Sequence, residues 1–183
     1  METTDGRIVV QYWIDEKDVI VDTNSTWDEF ALQNDGESCL STNIVGRSLW
    51  DFVNSDVTRM WIRTLLALAR QKKEPISRPY RCDSPGVKRF MEMWIEPESS
   101  GRVRLEHRLL KTEDFPKPVH FMYESSDHMK ANCRCSICNR VKVRDGWMEG
   151  EQLYQNETEE FISLRVIYGV CPDCMLSLPG SPA

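Results

Sequence analysis

The residues with the clearest chemistry are two Cys-x-x-Cys pairs late in the chain, Cys135 with Cys138 and Cys171 with Cys174. A gap of two residues lets both thiolates of a pair reach one ion, because the backbone between them folds into a tight turn, or knuckle. Two knuckles supply the four soft ligands that a tetrahedral zinc ion takes at about 2.3 Å. The 32 residues between the pairs (139–170) exceed the commonest ribbon spacing of roughly 15–20, so this segment should hold structure of its own.

Other uses of these thiols stay open at this point: redox or iron chemistry, or buried free cysteines. Seven cysteines is an odd number and no export signal is visible, which disfavours disulfides. A thioredoxin motif needs a helix that opens at its second cysteine, whereas residues 139–143 are predicted to form a strand. Cys133 is a spare thiol that could serve as an extra ligand or a redox thiol. Four residues would then separate it from Cys138, so Cys135 is preferred as the ligand.

The charge balance disfavours a nucleic-acid partner. The chain has 23 basic and 29 acidic residues, a net charge of -6, and residues 133–183 hold five basic against seven acidic side chains. A phosphate-binding surface would need clustered Lys and Arg. The longest apolar stretch, residues 61–69, is too short to span a membrane. We therefore expect a soluble, cytoplasmic protein whose thiols stay reduced.

A length of 183 residues allows one ordinary domain and a small module. Residues 8–14 and 19–21 are two β-rich runs that predict an antiparallel hairpin. A short helix is predicted near residues 26–32, with Asn24 or Ser25 as its cap. The longest predicted helix covers residues 57–72. Its expected buried stripe consists of Val57, Met60, Trp61, Leu65 and Leu68.

Residues 76–82, 88–96 and 102–110 are predicted to be strands, and the last alternates apolar with charged side chains. The order of elements indicates an α+β domain: an antiparallel sheet with short helices on one face. A small four-cysteine module resembling a zinc ribbon follows it. The predicted organisation is a sensor domain at 1–115, a connector at 116–132 with a short apolar run, and the zinc module at 133–183.

The first part of the chain resembles a PAS domain. Residues 24–30 resemble the start of the first PAS helix, and residues 45–52 resemble its G-[RK]-S-L-[WF]-D-F turn. Residues 81–85 and 89–91 are similar to a bacterial group of small PAS-like proteins that end in a cysteine-rich tail. No flavin-photoreceptor motif is present, because Cys39 lacks the required neighbours.

The tail resembles the C-x-x-C-K-[RK]-[IV] … W … H-G-[IL]-C-P-[DE]-C ending of many bacterial PAS and signal-receiver proteins. The matching residues are 135–141, Trp147 and 168–174. Tyr168 stands where that ending has histidine, which excludes a histidine ligand there, and Asn139 replaces the usual basic residue.

These resemblances imply a non-catalytic signalling or regulatory protein that senses a small ligand or binds a protein partner or a second copy of itself. A PAS ligand, of unknown identity, would lie near Trp50, Trp61 and His107. The implied cofactor is a structural Zn²⁺. No nucleophile with an adjacent base is legible, so we expect no enzyme activity. The alternatives are a DNA-binding transcriptional regulator that uses the zinc ribbon, and a thiol-based redox sensor.

Overall fold

The computed structural model describes residues 3–4, 7–34, 36–53, 55–124, 131–153 and 160–177, with side chains from residue 9 onward. These residues form an α+β fold with more strand than helix, as predicted. The strands are β1 (Thr3–Thr4), β2 (Arg7–Ile14), β3 (Ile20–Thr23), β4 (Ile76–Arg81), β5 (Val87–Pro97), β6 (Val103–Asp114), β7 (Val119–Tyr123), β8 (Asn132–Cys135), β9 (Val141–Val143), β10 (Gly146–Met148) and β11 (Ile162–Gly169). The helices are α1 (Thr26–Leu32), α2 (Ser41–Ile44), α3 (Asp56–Lys72) and α4 (Pro172–Leu176).

The chain folds into two compact units, and each takes three stretches of sequence. Unit 1 comprises Met1–Asn54, Ile62–Pro79 and Met91–Leu110, and unit 2 comprises Ser55–Trp61, Tyr80–Phe90 and Lys111–Ala183. The sequence-based domain limits at 115/116 and 132/133 stay a prediction. Within the described residues, no helix is both long and apolar enough to cross a membrane.

The sheet that begins in unit 1 has the strand order β1-β2-β6-β5-β4, with β3 paired to β2. The predicted hairpin is confirmed, since β2 and β3 pair antiparallel around the turn at residues 15–19. Alternate side chains of β5 are buried (Met91, Met93 and Ile95), the period of two that a half-buried strand requires. β6 shows the same alternation, with Val103 and Leu105 fully buried.

Helix α3 confirms the predicted helix, and its buried face agrees with the predicted stripe at Trp61 and Leu65 only. Trp61, Leu65, Leu66 and Ala69 are buried, whereas Val57 and Met60 are 37% and 51% exposed. The packed face is shifted toward Leu66 and Ala69. It includes the polar Thr58, whose hydroxyl hydrogen-bonds the hydroxyl of Ser136 (2.6 Å). Hydrophobic periodicity alone does not place a polar residue on a packed face, which is why the predicted stripe was wrong at Val57 and Met60.

The sheet of unit 2 has the strand order β10-β9-β8-β11-β7. β9 pairs antiparallel with both β8 and β10, whereas β11 pairs parallel with both β8 and β7. The residues between the two cysteine pairs thus contain β9, β10 and β11, which confirms that this segment holds its own structure. An apolar cluster packs against the sheet, formed by Phe115, Val119, Val141, Ile162, Leu164 and Val166.

Candidate metal centre

The first knuckle closes the turn between β8 and β9. Cys135 is the last residue of β8; its backbone N–H donates to the carbonyl of Arg140 (2.8 Å) and its carbonyl accepts from the N–H of Asn139 (2.9 Å). Asn139 has a φ of 61°, in the left-handed region that Asn tolerates better than most residues. Its side-chain amide donates to the carbonyl of Arg81 (3.3 Å). The backbone geometry and this hydrogen bond both favour asparagine at this position.

The second knuckle begins directly after β11. Cys171 is the N-cap of α4, with Pro172 at the start of the helix, where a missing N–H costs nothing, and Cys174 follows within the first turn. The parallel pairing aligns Gly169 of β11 with Cys135 of β8. Because parallel neighbours end at the same edge of a sheet, both knuckles lie at that edge. A parallel connection needs a dozen residues or more, which accounts for the long spacing between the cysteine pairs.

The four sulfur atoms of these cysteines converge. The Sγ atoms of Cys135, Cys138, Cys171 and Cys174 all lie within 4.8 Å of one another. The Sγ atoms of Cys138 and Cys171 are 3.7 Å apart, too far for the roughly 2.05 Å of a disulfide. A tetrahedron with zinc–sulfur bonds of about 2.3 Å has edges of roughly 3.8 Å, so the donor set fits a tetrathiolate metal ion.

Hydrogen bonds and burial determine how readily these thiols ionise, and therefore how they bind a cation. The backbone N–H groups of Ile137 and Cys171 both point at the Sγ of Cys135, at 3.5 and 3.3 Å. Hydrogen bonds with the Cys135 and Cys174 thiols lower the pKa of Cys138, and hydrogen bonds with the Cys135 and Cys138 thiols raise the pKa of Cys174. Burial raises the pKa of Cys171. Crowded sulfurs cannot all ionise unless a cation compensates them, so metal binding would release protons.

Arg140 is a polar neighbour of this cluster that sequence reasoning missed. Its Nε donates to the Sγ of Cys138 (3.4 Å), and its terminal nitrogen lies 4.0 Å from the Sγ of Cys171. The same nitrogen donates to the carboxylate of Asp173 in the second knuckle (2.9 Å). The sequence held two signals: its position two residues after Cys138, and the basic residue that the similar cysteine-rich ending has at this place.

Behind the first knuckle lies a buried network of charges, also missed from the sequence. The backbone N–H of Arg81 donates to the carbonyl of Ile137 (2.7 Å). The Arg81 guanidinium binds both carboxylate oxygens of Asp83 (3.1 and 2.6 Å) and both of Glu149 (2.9 and 2.7 Å). Arg134 adds a third contact, with its guanidinium 3.8 Å from Asp83 and 3.7 Å from the centroid of the Phe121 ring. This network fixes the backbone that carries the knuckle.

Cys133 lies outside the four-sulfur group. It precedes Cys135 by two residues on β8, and its sulfur sits 2.8 Å from where a side-chain carbon on Gly169 would be. A side chain at position 169 would therefore have to displace this thiol. Burial raises the pKa of Cys133. A role for Cys133 as an extra ligand or redox thiol stays a prediction.

The three predicted pocket residues occupy separate surroundings. The indole N–H of Trp50 donates to Asp18 (3.1 Å), and the guanidinium of Arg63 lies 4.5 Å from the Trp50 ring centroid. His107 stacks on Tyr12, with ring centroids 5.6 Å apart. Trp61 is 2% exposed and belongs to unit 2, whereas Trp50 and His107 belong to unit 1. A ligand pocket formed by these residues stays a prediction.

His107 should make the stability of the protein depend on pH. Burial lowers the pKa of His107 to about 4, a shift that the carboxylate of Glu106 partly opposes. An unfolded histidine titrates near 6.5, so the unfolded chain binds more protons between these values and stability falls as the pH falls from about 6.5 to about 4. In His107→Gln, the unfolding free energy should fall less over this pH range, by up to about 3 kcal/mol. Urea unfolding at several pH values measures the difference. If the unfolding free energy of both proteins changed equally with pH, the lowered pKa of His107 would be contradicted.

The fold and the site define an α+β protein whose second unit carries a four-cysteine cluster able to hold a metal ion. No protein-family model and no curated protein sequence matches the chain. Among solved structures, the PAS domain of Bordetella pertussis BvgS matches with 13% sequence identity and a TM-score of 0.36. The match covers 54% of this chain and 69% of that one. A TM-score of this size is too low to establish a shared fold, so the PAS interpretation depends on the sequence motifs.

Proposed function

We propose that this chain is a non-catalytic regulatory protein whose second unit is folded around one structural zinc ion. The single observation that carries the proposal is the convergence of the four Sγ atoms within 4.8 Å. The residues that would hold the ion are Cys135, Cys138, Cys171 and Cys174. When bound, zinc supplies a cross-link between the two knuckles.

A closed set of four protein ligands favours a structural role for the ion. Catalytic zinc sites keep one coordination position for water or substrate, whereas structural sites fill all four with side chains. Cys135 and Cys171 are fully buried, so two of the four sulfurs are sealed from solvent. Four thiolates also suit iron, and the metal content of the purified protein decides between the two.

The regulatory part of the proposal rests on the PAS-like motifs of residues 24–30 and 45–52. On this hypothesis a domain at residues 1–115 binds a small ligand or a protein partner, and binding shifts its conformational equilibrium. The output is contact with another protein or a second copy of the chain, because the sequence has no legible catalytic site. A reducing, cytoplasmic location would keep the thiols available to the metal.

Native mass spectrometry of the freshly purified, reduced protein tests the proposal. We expect one zinc ion per chain, lost on treatment with a chelator, and the same spectrum records any bound organic molecule and the oligomeric state. Cys82→Ser is the matched control, because Cys82 is not among the four clustered cysteines, and it should retain the zinc. A metal-free wild-type protein would refute the proposal. Iron in place of zinc would refute the identity of the ion.

A further inference from the structure

Arg140 contacts both halves of the cysteine cluster at once. Its guanidinium reaches the Sγ of Cys138 from the first knuckle (3.4 Å) and lies 4.0 Å from the Sγ of Cys171 in the second. A salt bridge to Asp173 (2.9 Å) holds it in this position. We propose that Arg140 is the positioning residue that sets the charge of the metal site and the rate at which the metal leaves. This inference rests on the zinc site proposed above.

The charge balance of the cluster gives Arg140 this role. One Zn²⁺ with four thiolates carries a net charge of minus two, and two of the sulfurs, those of Cys135 and Cys171, are fully buried. A buried negative charge is costly unless a positive group compensates it. The guanidinium of Arg140 supplies one positive charge through a directed N–H···S hydrogen bond, and such bonds are stronger than neutral ones. Loss of the guanidinium therefore destabilises the loaded site more than the empty one.

The orientation of Arg140 is set by its partners on both sides. A guanidinium presents several donors in one plane, so it can bind a sulfur and a carboxylate together. Asp173 is 73% exposed, and its contribution is to hold this plane against the cluster. A lysine at position 140 would keep the charge and lose the fork of donors. We therefore expect Arg140→Lys to fall between the wild type and an apolar variant.

Metal affinity, release rate and a spectroscopic signature test the inference together. Groups that hydrogen-bond metal ligands typically change metal affinity 10–100-fold when removed, and we expect Arg140→Leu to bind zinc more weakly by this factor. A chromophoric chelator in competition measures the affinity and the release rate. Arg144→Leu is the matched control, since Arg144 is an exposed arginine close by in the chain, and it should behave as the wild type.

Cobalt substitution reports the contact to sulfur itself. A hydrogen bond to a thiolate lowers the energy of its lone pairs, so the sulfur-to-cobalt charge-transfer band should move to longer wavelength in Arg140→Leu. A general loss of stability would not move the band. If the wild type binds one zinc while Arg140→Leu matches it within twofold and leaves the band unchanged, the inference fails and the zinc site stands. If the wild type binds no metal, the zinc site itself fails.

Discussion

Cys135→Ser is expected to abolish metal binding and to unfold parts of the chain that lie far before the cysteines in sequence. The Sγ of Cys135 is fully buried and accepts backbone N–H groups from both knuckles. Zinc binding can supply about 10–16 kcal/mol of apparent free energy in small zinc modules, and without it the knuckles lose their link. Ile137 accepts a hydrogen bond from the backbone of Arg81, so residues 80–90 should lose protection together with residues 131–153.

Hydrogen exchange followed by mass spectrometry measures this effect segment by segment. We expect faster exchange in the peptides that cover residues 80–90 and 160–177, both in Cys135→Ser and in wild type treated with chelator. The amides of β2, which belongs to unit 1, should keep their protection and serve as an internal reference. Cys39→Ser, outside the four-cysteine cluster, is the matched variant and should exchange like the wild type. Unchanged protection of residues 80–90 would show that their structure does not depend on the metal centre.

Local patterns in the sequence were sufficient for most elements of the first 110 residues and for the two knuckles. The alternation of Met91, Met93 and Ile95 is a period-two signal that depends only on neighbouring residues, and the strand formed as predicted. The hairpin of β2 and β3 follows from two β-rich runs and a short polar turn. The cysteine spacing works in the same way, because the reach of a knuckle is a local property of the backbone.

What the sequence did not reveal depends on contacts between distant residues. The parallel pairing of β8 with β11 is set by packing of the apolar cluster around them, and no local pattern encodes which strands become neighbours. The buried face of α3 was misassigned at Val57 and Met60 for the same reason, since the partner of Thr58 on the packed face is 78 residues away. Arg140 and Asp83 look like ordinary surface charges in one dimension. Only the fold shows that Arg140 reaches the second knuckle and that Asp83 is buried against Arg134.

Asp83→Asn is expected to cost unit 2 about 3–5 kcal/mol of unfolding free energy, as removal of one partner from a buried ion pair typically does. The carboxylate of Asp83 is 1% exposed and lies against two arginines, Arg81 and Arg134, which are themselves 8% and 7% exposed. Asparagine has nearly the same shape, so the substitution removes the charge and leaves the packing. Glu149 still pairs with Arg81, but Arg134 then faces no carboxylate at this position.

Urea unfolding of the zinc-loaded protein, followed by a probe in unit 2, measures the cost. Asp145→Asn is the matched control, because Asp145 is exposed in the turn between β9 and β10, and it should change the unfolding free energy by less than about 0.5 kcal/mol. The backbone of Arg81 also holds Ile137 and Asn139 of the first knuckle. Asp83→Asn should therefore weaken zinc binding, whereas Asp145→Asn should not. Equal stability and equal zinc affinity for the two variants would mean that this network does not support the knuckle.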